Sequence, residues 1–171
     1  TFPQFGIDVT GASDAHAIAQ SVATSHQTLA TKLVLPENCT MKLLDTLSIS
    51  GSGNHLRIEG RGDTSVIYSE DPDIAINFSF NSDYCYLKHF KLLGNHQMGT
   101  GIYCRINADT IVIDDVTVQD FGNVGASAET TTSEAGIYCE DCLDVTITDC
   151  RVSGGTDHEW SLDDDIRIIN T

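Results

Sequence analysis

Two passages of the chain place ionisable residues at the same point of a repeated motif. Gly101-Ile102-Tyr103-Cys104 is followed by Arg105, and Gly136-Ile137-Tyr138-Cys139 is followed by Glu140 and Asp141. If Leu162 takes the place of Cys104 and Cys139 in a further copy, Asp163 and Asp164 follow there. Stacked strands lie ~4.8 Å apart, so Glu140 and Asp163 would form a short acidic ladder with Arg105 at its end. Carboxyl groups about 5 Å apart suit retaining glycoside cleavage, and a wider pair suits the inverting reaction. Crowding raises the pKa of one of the two, which yields an acid and a base. Glu140, Asp141, Asp163 and Asp164 are the candidate catalytic residues on this argument, with Arg105 placed to orient an acidic sugar. The plainer alternative is a set of solvated acidic turns in an acid-rich chain. A second cluster, Asp157-His158-Glu159-Trp160, offers an indole beside carboxylates. Trp160, Asp157 and Glu159 could form a sugar-stacking platform, or Trp160 could pack on a neighbouring loop or subunit.

Other chemistry-bearing residues argue for less. Cys139-Glu-Asp-Cys142 has the spacing of a redox or zinc motif, but no second such pair and no histidine pair accompanies it, so no metal site or cofactor is expected. The six cysteines are Cys39, Cys85, Cys104, Cys139, Cys142 and Cys150. Several fall at apolar positions of the repeat and read as small buried hydrophobes, although adjacent stacking of Cys104 and Cys139 leaves a disulfide open. Arg61-Gly62-Asp63 spells an adhesion tripeptide inside a turn that the fold needs anyway.

The elements that must position these residues come from the repeat. Cys85, Leu87, Phe90 and Leu92 step by two, three and two; Ile111, Ile113, Val116 and Val118 step likewise, as do Val145, Ile147, Cys150 and Val152. Each set is two alternating strand residues, a kink, and two more, with all four facing inward. Segments this short cannot bury an apolar face alone, so they must stack on their neighbours. Leu47 with Ile49, Leu56 with Ile58, and Val66 with Tyr68 are further alternating pairs; Ile74, Ala75, Ile76 and Phe78 open another segment, and Ile166 with Ile168 begin a last one. Val, Ile and Thr dominate these runs, which argues against helix. The pattern predicts an all-β chain folded as a right-handed parallel β-helix of about five turns, a solenoid of short strands. Ser13 reads as the N-cap of one helix over residues 13–25, which would cover an end of the solenoid. The Gly/Ala/Ser/Thr-rich stretch from Gly122 to Ala135 reads as an inserted loop.

The 171 residues suit one domain, and 40% hydrophobic composition is enough for a continuous core. A formal net charge of −16 repels phosphate backbones and anionic lipid, so neither nucleic acid nor a membrane surface is an expected partner. No apolar run is long enough to span a bilayer.

Three passages resemble the pectate-lyase-like superfamily of β-helices and, within it, the tailspikes of bacteriophages. Phe5-Gly6-Ile7 with Gly11-Ala12-Ser13-Asp14-Ala15-His16-Ala17-Ile18 resembles the family's opening turn, cap and short helix. Lys32-Leu33-Val34-Leu35-Pro36 resembles the strand that follows, and Gly60-Arg61-Gly62-Asp63-Thr64-Ser65-Val66-Ile67 the turn before the next one. The paired Asp of the opening is reduced to Asp14, and the polygalacturonase-type Asn-x-Asp, Asp-Asp and Gly-His-Gly set is absent. The resemblance implies the N-terminal part of a longer β-helix. It implies a homotrimer on the virion tail that binds, and could depolymerise, a bacterial surface polysaccharide such as capsule or O-antigen. A secreted lyase or hydrolase, and a non-catalytic structural or adhesin β-helix, are the alternatives, because this opening heads unrelated functions.

Overall fold

A computed structural model describes residues 6–25, 31–50, 55–70, 74–79, 84–105, 110–122, 135–154 and 164–169. The chain is all-β with one short helix. In chain order the elements are β1 (Thr10–Asp14), α1 (His16–Ser25), β2 (Thr31–Val34), β3 (Cys39–Leu43), β4 (Leu47–Ser50), β5 (His55–Glu59), β6 (Ser65–Ser69) and β7 (Ile74–Ser79). They continue with β8 (Tyr84–Met98), β9 (Thr100–Arg105), β10 (Thr110–Phe121), β11 (Ala135–Glu140), β12 (Asp144–Thr148), β13 (Arg151–Ser153) and β14 (Asp164–Ile169).

Among the described residues every strand pairing is parallel, and the pairings form three rows. The first row runs β2, β5, the first half of β8, the first half of β10, then β12. The second runs β1, β3, β6, the second halves of β8 and β10, then β13. The third runs β4, β7, β9, β11 and β14. The chain thus visits each row once before returning to the first, and the buried side chains of all three rows belong to one hydrophobic cluster.

The stepping of two, three and two is a register fact. Cys85, Ile111 and Val145 are successive Cα partners, as are Leu87, Ile113 and Ile147, and Leu92, Val118 and Val152. Phe90 pairs Val116. The first two sets are fully buried, while Val145, Ile147, Cys150 and Val152 are only partly covered, with no strand paired on their far side among the described residues. The third row repeats this, with Ile102 opposite Ile137 and Cys104 opposite Cys139. Gly101 is required there, since a Cβ would lie 2.5 Å from the Gly136 carbonyl oxygen.

Three expectations are corrected. Ser65, Ile67 and Ser69 face inward and Val66 and Tyr68 outward, the reverse of the apolar reading. Ser65 tolerates burial because its hydroxyl donates to the Pro36 carbonyl at 2.7 Å and accepts from the Arg61 N–H at 2.8 Å. Ser13 does not cap α1; Asp14 does, accepting from the His16 N–H at 3.0 Å, while Ser13 is drawn to Asp8. The stretch from Gly122 to Ala135 shortens, because Ala135 is the buried first residue of β11; residues 123–134 lie outside the described residues.

Helix α1 buries Ala19 and Val22 in the cluster and lies against β4. Its polar face completes the hydrogen bonding of that edge strand. The Gln20 amide donates to the Ser48 carbonyl at 2.6 Å and accepts from the Ser48 N–H at 2.8 Å, as a neighbouring strand would. His16 Nε2 lies 2.9 Å from the Thr46 carbonyl oxygen. No helix among the described residues is long and apolar enough to cross a membrane.

Candidate functional site

The kinks that let four residues face inward are made by His89, Asp115 and Asp149. All three adopt left-handed backbone, with φ of 55°, 51° and 51°. A residue in that conformation turns the chain and resets the alternation, and His and Asp tolerate it better than most side chains. Register stacks the three at one corner, between the first and second rows. His89 Nδ1 and Asp115 Oδ2 are 2.9 Å apart. In the preceding round the corner is longer, running from Gly60 to Thr64. Gly60 and Gly62 N–H groups donate to the Lys88 and His89 carbonyls at 2.9 and 2.7 Å, so this loop is anchored on the next corner.

The longer corner forms a lip beside the stack. Below it lies a cavity of about 540 Å³ lined by Gly62, Asp63, Asp115, Thr117, Asp149, Cys150 and Arg151. Thr117 Oγ1 donates to Asp63 Oδ1 at 3.1 Å, tying lip to wall. Three carboxylates, a hydroxyl and a guanidinium line one open groove. The sequence held a signal for it: in each repeat a polar residue directly precedes the second inward pair.

Beside the groove, the outward first row carries compensated charge. Lys88 Nζ lies 2.6 Å from Asp114 Oδ2, and Thr148 Oγ1 donates to Asp114 Oδ1 at 2.7 Å. The hydrogen bond from Lys88, then that from Thr148, lowers the Asp114 pKa, and Asp114 raises that of Lys88. Glu59 is likewise lowered, first by its hydrogen bond from Lys32 at 2.5 Å.

Of the residues expected to form the acidic ladder, Glu140 and Asp164 are not paired with each other. Glu140 does lie beside Arg105, as the repeated motif requires. On its other side, however, Glu140 pairs Ile169, and Asp164 pairs Ala135, five residues earlier along the strand. Ile168, rather than Leu162, takes the place opposite Cys139, with Ile166 opposite Ile137, although both isoleucines stay about half exposed. Asp163 lies outside the described residues, as do Asp157, Glu159 and Trp160.

What surrounds Glu140 is aromatic. Tyr103 and Tyr138 stack with centroids 4.9 Å apart and planes 1° apart, and Tyr103 donates its hydroxyl to Glu140 Oε2 at 2.5 Å. Arg105 lies over the Tyr103 ring, 5.3 Å from its centroid. Partial burial, then the bond to Glu140, pushes the Tyr103 pKa up to about 12, so it stays a neutral donor. Asp141 has φ of 52° and turns the chain toward β12.

The cysteines are free thiols. Cys104 bonds the Cys139 sulfur, which favours its thiolate, yet Cys85 and burial push its pKa well up. Cys139 is raised by Cys104 and Cys142 by Cys139, so these groups are neutral packing atoms rather than nucleophiles. Among the described residues no group of three or more His, Cys, Asp or Glu could hold a metal ion.

No family model, curated protein or solved structure matches this chain.

Proposed function

We propose that the chain is a right-handed parallel β-helix that binds a polysaccharide in the groove at its first corner. The three rows, each visited once per round in constant register, support the solenoid reading, and right-handedness is the near-universal sense of parallel crossovers. The observation that carries the functional reading is the open cavity of about 540 Å³ in which Asp63, Asp115, Asp149, Thr117 and Arg151 converge. Carboxylates accept pairs of sugar hydroxyls, Thr117 exchanges with them, and Arg151 donates to ring or carboxyl oxygens. The resemblance to tailspikes makes a bacterial surface polysaccharide the substrate class and the virion tail the location, with a secreted enzyme as the alternative.

Cleavage is the second reading, favoured by the stack of Asp115 and Asp149 at one corner of successive rounds, ~4.8 Å apart by strand spacing. That separation is near that of a retaining carboxylate pair.

The test is calorimetric titration with capsule and O-antigen preparations, with new reducing ends assayed in parallel. Arg151→Ala should weaken binding about tenfold or more, the worth of one charged hydrogen bond. Asp149→Asn keeps a residue that tolerates left-handed backbone and should abolish any cleavage while leaving the fold intact. Parental binding in both variants would move the site away from this corner.

A further inference from the structure

Two ladders of side chains run along the corner groove. The left-handed residues His89, Asp115 and Asp149 form one. Two residues further along each strand, Lys91, Thr117 and Arg151 are successive Cα partners and form the other. These three face outward, because Phe90, Leu92, Val116 and Val118 beside them are buried and Cys150 and Val152 pack against the core. Strand spacing sets successive members ~4.8 Å apart, so Lys91 and Arg151 stand on either side of Thr117. One wall of the groove is thus acidic, and the other carries a cation before and after a hydroxyl.

Lys91 differs from the other lysines. Lys32 meets Glu59, Lys42 meets Glu70 and Lys88 meets Asp114. No ion pair among the described residues engages Lys91, although the chain has 25 Asp and Glu for 9 Lys and Arg. Its place is interior to the stack, with β6 paired on one side and β10 on the other.

We propose that the groove takes a glycan whose acidic sugars are separated by neutral ones, and holds one sugar carboxylate over Thr117 between Lys91 and Arg151. This rests on the reading of the corner as a polysaccharide groove and names the class of sugar it selects. The polarity of the two ladders fixes the orientation. The carboxylate turns to the ammonium and guanidinium, which donate charged hydrogen bonds, and the hydroxyls turn to Asp115 and Asp149, which accept from them. The reverse pose sets carboxylate against carboxylate. The net charge of −16 decides the spacing. A polymer charged at every sugar is repelled by the molecule as a whole, while a single carboxylate within a Debye length of two cations, ~8 Å at physiological salt, is attracted.

Calorimetric titration of the whole chain with gellan oligosaccharides, whose glucuronic acids are separated by neutral sugars, tests it. The comparisons are the same oligosaccharides with carboxyls reduced to alcohols, oligogalacturonate, which is charged at every sugar, and dextran. Native gellan oligosaccharides should bind about tenfold or more tighter than the reduced ones, the worth of one charged hydrogen bond, and tighter than oligogalacturonate. Lys91→Gln, at an outward position, should remove that preference with an unchanged melting temperature and unchanged binding of the reduced form, and Lys91→Arg should keep it. Equal binding of native and reduced forms, a preference that survives Lys91→Gln, equal or tighter binding of oligogalacturonate, or no binding of the native oligosaccharides would each overturn the proposal. Reduced gellan or dextran bound by the parent and lost in Asp149→Asn would leave the polysaccharide reading standing, so the two readings fail separately.

Discussion

Val116 shows how much a single inward position decides. It is fully buried, paired with Phe90, and continues the same column as Cys150. Val116→Asp should cost more than about 3 kcal/mol, since a carboxylate there has no partner and no water. Chemical denaturation is the measurement, and a loss below about 0.5 kcal/mol, the range of ordinary surface changes, would mean the position faces out. Gly101 makes the converse point, because its lack of a side chain is what lets β9 and β11 meet. Gly101→Ala puts a methyl 2.5 Å from the Gly136 oxygen and 2.7 Å from Val118 Cγ1. It should destabilise by about 1–3 kcal/mol in the same assay, as overpacking does. The inward columns were legible in the sequence because apolar residues two apart leave a strong signal. Ser65 and Ser69 were not, because their burial depends on partners such as the Pro36 carbonyl that lie far away in the chain.

At the scale of elements, the entry to α1 depends on one carboxylate. Asp8 accepts from the Ser13 hydroxyl at 2.6 Å and N–H at 2.8 Å, and from the Thr10 hydroxyl at 2.7 Å and N–H at 2.8 Å. The Ser13 hydroxyl, then the Thr10 groups, hold its pKa well below the ordinary carboxylate value. A depressed folded pKa means the stabilisation is complete above the ordinary value and is lost as pH falls through the folded one. Asp8→Ala should therefore lower the melting temperature at neutral pH, and the gap to the parent should narrow from about pH 4 downward. Melting curves at stepped pH check this; a gap that stays constant to low pH would show that the ionised carboxylate contributes nothing. The helix itself was legible from its alanine pattern, but its cap was not. Ser13 and Asp14 are both good caps, and the choice falls to Asp14 only because Asp8, brought up by the Gly11 turn, occupies Ser13.

Across the whole molecule, each round touches only its neighbours, so stability is expected to vary along the stack. The middle rounds, built on Cys85 to Leu92 and Ile111 to Val118, are covered on both sides. Strands β12 to β14 pair on one side among the described residues. Amide exchange in a dilute sample should be slowest in β8 and β10 and fastest in β13 and β14. Uniform exchange would show a single cooperative unit instead. The groove belongs to this scale too: Asp63 and Thr117 are separated by 54 residues and meet because successive rounds superpose.

By itself the sequence determined the repeat, the strand class, the kinks and the pairing of Arg105 with Glu140, since each follows from local periodicity and from two copies of Gly-Ile-Tyr-Cys. It did not determine the register of the final strand, because Leu162 and Ile168 are equally apolar. Only the requirement that Ile166 and Ile168 continue the Ile137 and Cys139 columns separates them. Nor did it locate the groove. Asp115 and Asp149 are unremarkable polar residues along the chain, and they come to line one groove only when parallel strands ~4.8 Å apart bring their left-handed turns into line.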